Sequence, residues 1–174
     1  MALTYDIIST NTISGSTTHQ VDFTSISGSY TDLIIVASGY NVTADLSQRI
    51  RFNSDSASNY GVTYIGGNGT TASSGRLSNG SGLYANYLTG WTNSSTQPSN
   101  WTFHIMDYAN SNTYKTCLSR AGTTTGGTYP GVETLVGTWR STSAITSVSV
   151  EAGYGSTHYF ASGTIITLFG IQAA

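Results

Sequence analysis

The sequence predicts an all-β fold, an antiparallel β-sandwich of jelly-roll-like form, built as one domain over residues 1–174. Three observations carry that expectation. Ten or so short stretches alternate in polarity or run β-branched and apolar, with turn signals at roughly the 8 to 12 residue spacing of a sandwich. Charged residues make up 8% of the chain while glycine occurs 20 times, so hydroxyls, amides and turns dominate. Aromatic residues reach 11%, which argues for a packed core and against a disordered Ser/Thr tract. No amphipathic pattern is long enough for a useful helix, and no unit repeats.

Taken in order, Leu3 to Ser9 opens as a strand and ends in the polar group Thr10 to Thr18. His19 to Phe23 places Val21 and Phe23 on one face. Thr31 to Gly39 holds a short, continuous, β-branched apolar run, the pattern of a strand inside a sheet and covered on both sides. Leu46 to Gly69 is the organising segment. In Gln48-Arg49-Ile50-Arg51-Phe52 the two apolar residues share one face and the two arginines the other. Asn53 to Ser56 and Ser58 to Gly61 then supply short side chains that bond to their own backbone before Val62 to Ile65 resumes a strand, so a compact polar turn joins two strands.

Gly66 to Gly82 is glycine-rich and reads as a long surface loop with a short strand near Ala72 to Leu77. Gly82 to Leu88 is a further strand, and Thr89 to Asn100 a loop carrying Trp91 and Pro98. Trp101 to Tyr108 alternates strictly, with Trp101, Phe103, Ile105 and Asp107 on one side, the bulky side expected in the core, and Thr102, His104, Met106 and Tyr108 on the other. Asn110-Ser111-Asn112 turns it into Tyr114 to Arg120 as an antiparallel pair. Gly122 to Gly131 is a second loop, Val132 to Arg140 and Ile145 to Glu151 are strands, Gly153 to Gly163 is a loop, and Thr164 to Ile171 is an apolar closing strand. Few lysines guard the sheet edges, so those edges are expected to be short or covered by other chains.

At 174 residues the chain can bury roughly 70% of its extended surface and needs no metal or disulfide to fold. Six Lys plus Arg and a net charge of -2 cannot form the basic stripe that phosphate neutralisation requires, which excludes nucleic acid as the expected partner. No apolar run approaches a membrane span, and Met1 to Asp6 lacks the order of a secretory signal, so neither insertion nor conventional export is expected. The one cysteine, Cys117, reads as a buried structural thiol.

The residue types that carry chemistry are present but unpatterned. His19, His104 and His158 lack the spacing of a zinc site. Eight carboxylates include no recognisable glycosidase pair, and the Gly-Lys-Ser/Thr ending that a phosphate loop needs is missing. No strand-elbow-helix order supports a serine nucleophile. The sequons at Asn41, Asn68, Asn79, Asn93 and Asn100 read as turn chemistry. Neither a cofactor, a metal nor a catalytic residue is expected. Tyr84, Tyr87, Trp91 and Trp101 are the candidate contact residues: they could line a sugar-stacking platform, or serve core and subunit packing, where amphipathic rings are favoured.

The run Arg51-Phe52-Asn53-Ser54-Asp55 with Ser58-Asn59-Tyr60, the pair Lys115-Thr116 after Tyr108-Ala109, Gly137-Thr138-Trp139-Arg140 with Ala144 to Val148, and Phe160 to Thr164 with Leu168 to Ile171 resemble small virion structural proteins of tailed bacteriophages. The resemblance covers nearly the full length. It implies a virion structural protein, first as a capsid decoration (cement) protein bound to the major capsid protein and to sister copies, a trimer ahead of other homo-oligomers. It implies second a part of a tail or fibre; in that role the Gly66 to Gly82 and Thr89 to Asn100 loops with their aromatic residues would form a site for a host surface glycan. The expected location is the virion, the capsid surface ahead of the tail, after synthesis in the host cytoplasm.

Overall fold

The computed structural model describes residues 5–43, 47–88, 90–123 and 131–172. Among them there are twelve strands and no helix, arranged as two antiparallel sheets around a shared core, the jelly-roll-like sandwich that the sequence predicts. The larger sheet has eight strands, in the spatial order β1 (Tyr5–Thr12), β12 (Ile165–Ile171), β3 (Asp32–Gly39), β8 (Ser99–Met106), β9 (Lys115–Thr123), β10 (Gly131–Trp139), β5 (Tyr60–Gly67) and β6 (Ala72–Gly80). The smaller has four: β2 (Gln20–Phe23), β11 (Val148–Glu151), β4 (Arg49–Phe52) and β7 (Leu83–Tyr84).

Period-two patterning decides what each sheet buries. Leu33, Ile35, Trp101, Phe103, Ile105, Cys117, Leu135, Trp139, Ile166 and Leu168 point inward from the large sheet, and Val21, Phe23, Ile50, Phe52, Leu83, Val148 and Val150 from the small one. The two layers meet closely at Gly137, where a side-chain carbon would fall 2.8 Å from a methyl of Leu83. Any larger residue there would push the sheets apart.

The organising segment turns out to be the corner between the layers. The chain leaves the small sheet at β4 and enters the large one at β5. Phe52 to Asp55 is a tight turn closed by Asp55 N–H donating to the Phe52 carbonyl at 2.8 Å, with Asn53 and Ser54 both left-handed (φ 51° and 58°). Asn53 holds the corner to the segment before β11: its amide donates to the Ala144 carbonyl at 2.8 Å, and its oxygen accepts from Thr146 and Ser147 N–H at 2.8 and 3.1 Å. Asp55 holds it to β10, accepting from the Trp139 indole N–H at 2.7 Å as well as from Ala57 N–H and the Asn59 amide. Burial alone would raise the Asp55 carboxyl; the hydrogen bonds from Asn59, Trp139 and Ala57 outweigh it and hold the group below the usual carboxylate range.

Three expectations need correction. Gly66 to Gly82 is not mainly a loop: β6 runs nine residues and pairs with β5 through a turn in which Asn68 accepts from Thr70 and Thr71 N–H. Small residues at Ser73, Ser74 and Gly75 weakened the strand pattern without preventing pairing. The strand expected at Gly82 to Leu88 shortens to β7, because Glu133, 2% exposed on β10, takes the Tyr87 and Leu88 N–H groups at 2.7 to 2.9 Å and withdraws them from a ladder. β3 lies inside the large sheet but is covered on one side alone, since Val36 stays 37% exposed. Of the two alternatives expected for the sheet edges, short or covered by other chains, the small sheet shows the first, with β2 and β7 four and two residues long, while the large sheet's edges are eight and nine residues long in β1 and β6. The loop expected over 122–131 falls mostly outside the described residues.

Candidate interaction surfaces

The outward side chains of the large sheet align into rows set by strand register. The central row reads Ile7, Phe169, Ile34, His104, Leu118, Val136, Thr63, Arg76 from one edge to the other. A neighbouring row reads Thr167, Val36, Thr102, Arg120, Thr134, Ile65, Ser74. Tyr5, Ile7, Ile65, Val132 and Val136 are each 49 to 66% exposed, and Leu118 and Ile165 are 37 and 44% exposed. The face is thus a mixed belt: aliphatic and aromatic groups on β1, β12 and β3 and again on β9, β10 and β5, separated by Thr102 and His104 on β8, with threonines among them and Ser74 and Arg76 at the β6 edge.

Its charges are few. His104 Nε2 and Asp32 form a pair at 2.8 Å, while Arg76 and Arg120 extend from the belt. Eight strands at about 4.8 Å and some seven residues at about 3.3 Å each give a face of roughly 900 Å². That matches the roughly 800 Å² that each partner contributes to a standard protein–protein interface. A hollow of about 230 Å³ lined by Tyr5, Ile34, Val36 and Leu118 together with the polar Thr102, His104 and Arg120 gives a partner side chain somewhere to seat.

The outer face of the small sheet is organised around charge. Glu151, 1% exposed, accepts from Arg49 Nε at 3.0 Å and from the same guanidinium's second nitrogen, and pairs with Arg51 at 2.9 Å. His19 Nε2 stands 3.7 Å away, and the ring of Tyr154 covers the Arg49 guanidinium at 4.7 Å. The two arginines that the sequence places opposite Ile50 and Phe52 therefore do leave the core, but they are covered again. Glu151 and Arg49 are direct cross-strand partners, so this pairing fixes the register of β4 against β11.

The four candidate contact residues do not form one platform. Trp91 and Trp101 are 1% exposed and pack against each other with ring centres 6.3 Å apart, Trp91 also meeting Phe160 edge-on. Neither presents a face to a sugar. Tyr84 and Tyr87 are half-buried, 5.4 Å apart, and Tyr64 extends the pair at 4.8 Å from Tyr87. Burial raises the Tyr84 hydroxyl, with Arg49 acting in the opposite direction. Among the described residues no group of three or more His, Cys, Asp or Glu is placed to hold a metal ion, and none of the described helices, there being none, could cross a membrane.

Sequence reasoning missed the belt. Its signal lies in the unbroken apolar run of β3, which on sequence alone reads as a strand covered on both sides, and in the apolar closing strand β12.

No protein-family model and no curated protein matches the chain. Among solved structures it is similar to galectin LEC-6 of Caenorhabditis elegans, at 8% identity over 94% of this chain and 96% of that one with a TM-score of 0.35. An alginate lyase from Aplysia kurodai shares 9% identity over 86% and 72% of the two chains with a TM-score of 0.30. A protein of unknown function from Shewanella oneidensis MR-1 shares 9% identity over 98% and 77%, with a TM-score of 0.22. With all three TM-scores below 0.5, these likenesses carry no argument about what the chain does.

Proposed function

We propose that this protein is a structural component of a tailed-phage virion, a decoration protein that stabilises the capsid shell by protein–protein contact and catalyses no reaction. The observation that carries the reading is the uncovered belt across the eight-stranded sheet. Its exposed side chains, Ile7, Ile65, Val132, Val136, Leu118 and Ile165, are costly to leave in water and are suited to a protein surface. Low charge supports the same reading, because a contact made from aliphatic side chains, hydroxyls and amides keeps its strength across ionic conditions. On a shell, many weak equivalent contacts sum to a large stabilisation. Major capsid protein and sister copies are the proposed partners, and the capsid surface the proposed location.

The test uses particles stripped of the protein, re-addition of purified protein, and resistance to heat and osmotic shock as the readout. Val136→Asp and Leu118→Asp place charge in exposed positions of the belt, so the fold should stand while binding to particles falls at least about tenfold from the desolvation of one buried carboxylate. Unchanged binding by both variants, or particles equally robust with and without the protein, contradicts the proposal.

The second reading, a tail or fibre module for a host surface glycan, draws on the half-exposed Tyr84 and Tyr87 pair. A glycan array with intact virions, compared with Tyr87→Ala, tests it: a specific sugar signal lost in the variant supports recognition, and an empty array removes it.

A further inference from the structure

We infer that β6 is a self-pairing edge: two copies of the chain join antiparallel along Ala72 to Ser78 about a two-fold axis at Gly75, making one sixteen-stranded sheet from two eight-stranded ones. The inference concerns contact between copies and stands apart from docking to a shell. A two-fold contact pairs copies and does not by itself build the trimer expected from sequence.

Among the described strands the sandwich has four edges, and three of them are short or irregular. β2 and β7 are four and two residues long. β1 is long but breaks register between Ile7 and Ser9 and carries Asp6. β6 runs nine residues, ASSGRLSNG, without proline, lysine or any carboxylate. Its hydrogen bonds run to β5 on one side, and among the described residues no strand pairs with the other. Such an edge is a template for another strand.

The sequence of β6 also says which strand fits. Ser73, Ser74 and Gly75 are small and exposed or half-exposed, so a second backbone can approach without steric conflict. Register against β5 is regular from Ala72 to Leu77 and shifts just beyond, where Asn79 turns left-handed at φ 58°. The extended run therefore ends near Ser78, and pairing Ala72–Ser78 with itself uses all of it. Centring that run on Gly75 puts Arg76, the one charged residue of the strand, opposite Ser74 of the second copy. Two guanidiniums are thereby kept off the axis and apart, where a register centred on Arg76 would set them face to face. A contact one strand wide is weak and becomes effective where copies are concentrated on a surface.

The experiment combines sedimentation equilibrium, run from micromolar to near-millimolar protein, with amide hydrogen exchange at both ends of that range. Expected is a monomer–dimer equilibrium in which alternate amides of Ala72 to Ser78 gain protection at high concentration while those of β8 and β9 do not. Ser74 is exposed and faces solvent, so its charge variants should fold. Ser74→Glu sets a carboxylate against Arg76 of the second copy twice per dimer and tightens dimerisation about 2- to 30-fold; Ser74→Lys loosens it by a similar factor, and added salt shrinks both effects. A chain that stays monomeric throughout, a dimer whose new protection lies outside β6, or one that treats Ser74→Glu and Ser74→Lys alike overturns the inference.

Discussion

Removing the Asp55 carboxylate tests how the two layers are joined. The group is the common acceptor for three donors: Trp139 Nε1 at 2.7 Å, Ala57 N–H at 2.8 Å and the Asn59 amide at 2.9 Å. Trp139 is 2% exposed, so Asp55→Ala strands a buried indole N–H, a loss of about 1–3 kcal/mol. The other two donors lie nearer solvent and add about 1 kcal/mol together. The expected destabilisation is about 2–4 kcal/mol. In urea unfolding, with a slope of about 2 kcal/mol/M, the midpoint should fall by about 1–2 M at constant slope.

Asp55→Asn keeps one acceptor oxygen in place and should cost about half as much. The pH dependence gives an independent check. The folded-state pKa of Asp55 lies below its ordinary value, so its contribution is complete above the unfolded pKa of about 4 and is lost as pH falls through the lower folded value. Asp55→Asn should remove that part of the acid dependence. A cost under about 0.5 kcal/mol for Asp55→Ala, or an acid limb unchanged in Asp55→Asn, would refute the view that this carboxylate pins the corner.

Three further outcomes follow from burial. Glu151→Gln leaves Arg49 and Arg51 facing a neutral amide, and should cost about 3 kcal/mol or more, read as a melting temperature lower by about 6–12 °C; a shift under 2 °C would mean the cluster is solvated in practice. Trp91→Ala and Trp101→Ala should each destabilise by about 3–5 kcal/mol in denaturant titration, the signature of a core cavity, and a variant of either that unfolds like the parent would place the ring at the surface. Cys117 is fully buried and burial pushes its thiol up, so native protein should resist a thiol reagent that reacts at once in denaturant; rapid native labelling would show that the β8–β9 region opens.

Much of the sandwich was legible because a half-buried strand announces itself with period two. Trp101-Phe103-Ile105 and Arg49-Ile50-Arg51-Phe52 could be assigned to faces from alternation alone, and the Asn53–Asp55 turn from its side chains. Two kinds of feature were not legible. β6 is a strand by pairing to β5, and its Ala, Ser and Gly residues carry almost no local preference. The apolar parts of the belt and the core look alike in sequence, since an isoleucine at position 34 reads the same whether it meets another layer or another molecule.

The candidate contact residues divide on the same ground. Trp91 and Trp101 offer aromatic faces in the sequence, but exposure decides whether a ring is offered to a ligand, and here the two rings pack against each other and Trp91 against Phe160, 69 residues on. The Glu151 cluster joins three sequence-distant segments, so no spacing rule could have assembled it. Asp55 could be read as a turn capper, but not as the acceptor for Trp139, 84 residues away.

The most direct measurement is the position of the chain in intact tailed-phage particles, imaged at a resolution that traces strands. The proposed function predicts the chain on the shell exterior, with Leu118, Val136 and Ile34 buried against capsid subunits. Particles that lack the chain, or that carry it with this face turned to solvent, would contradict it.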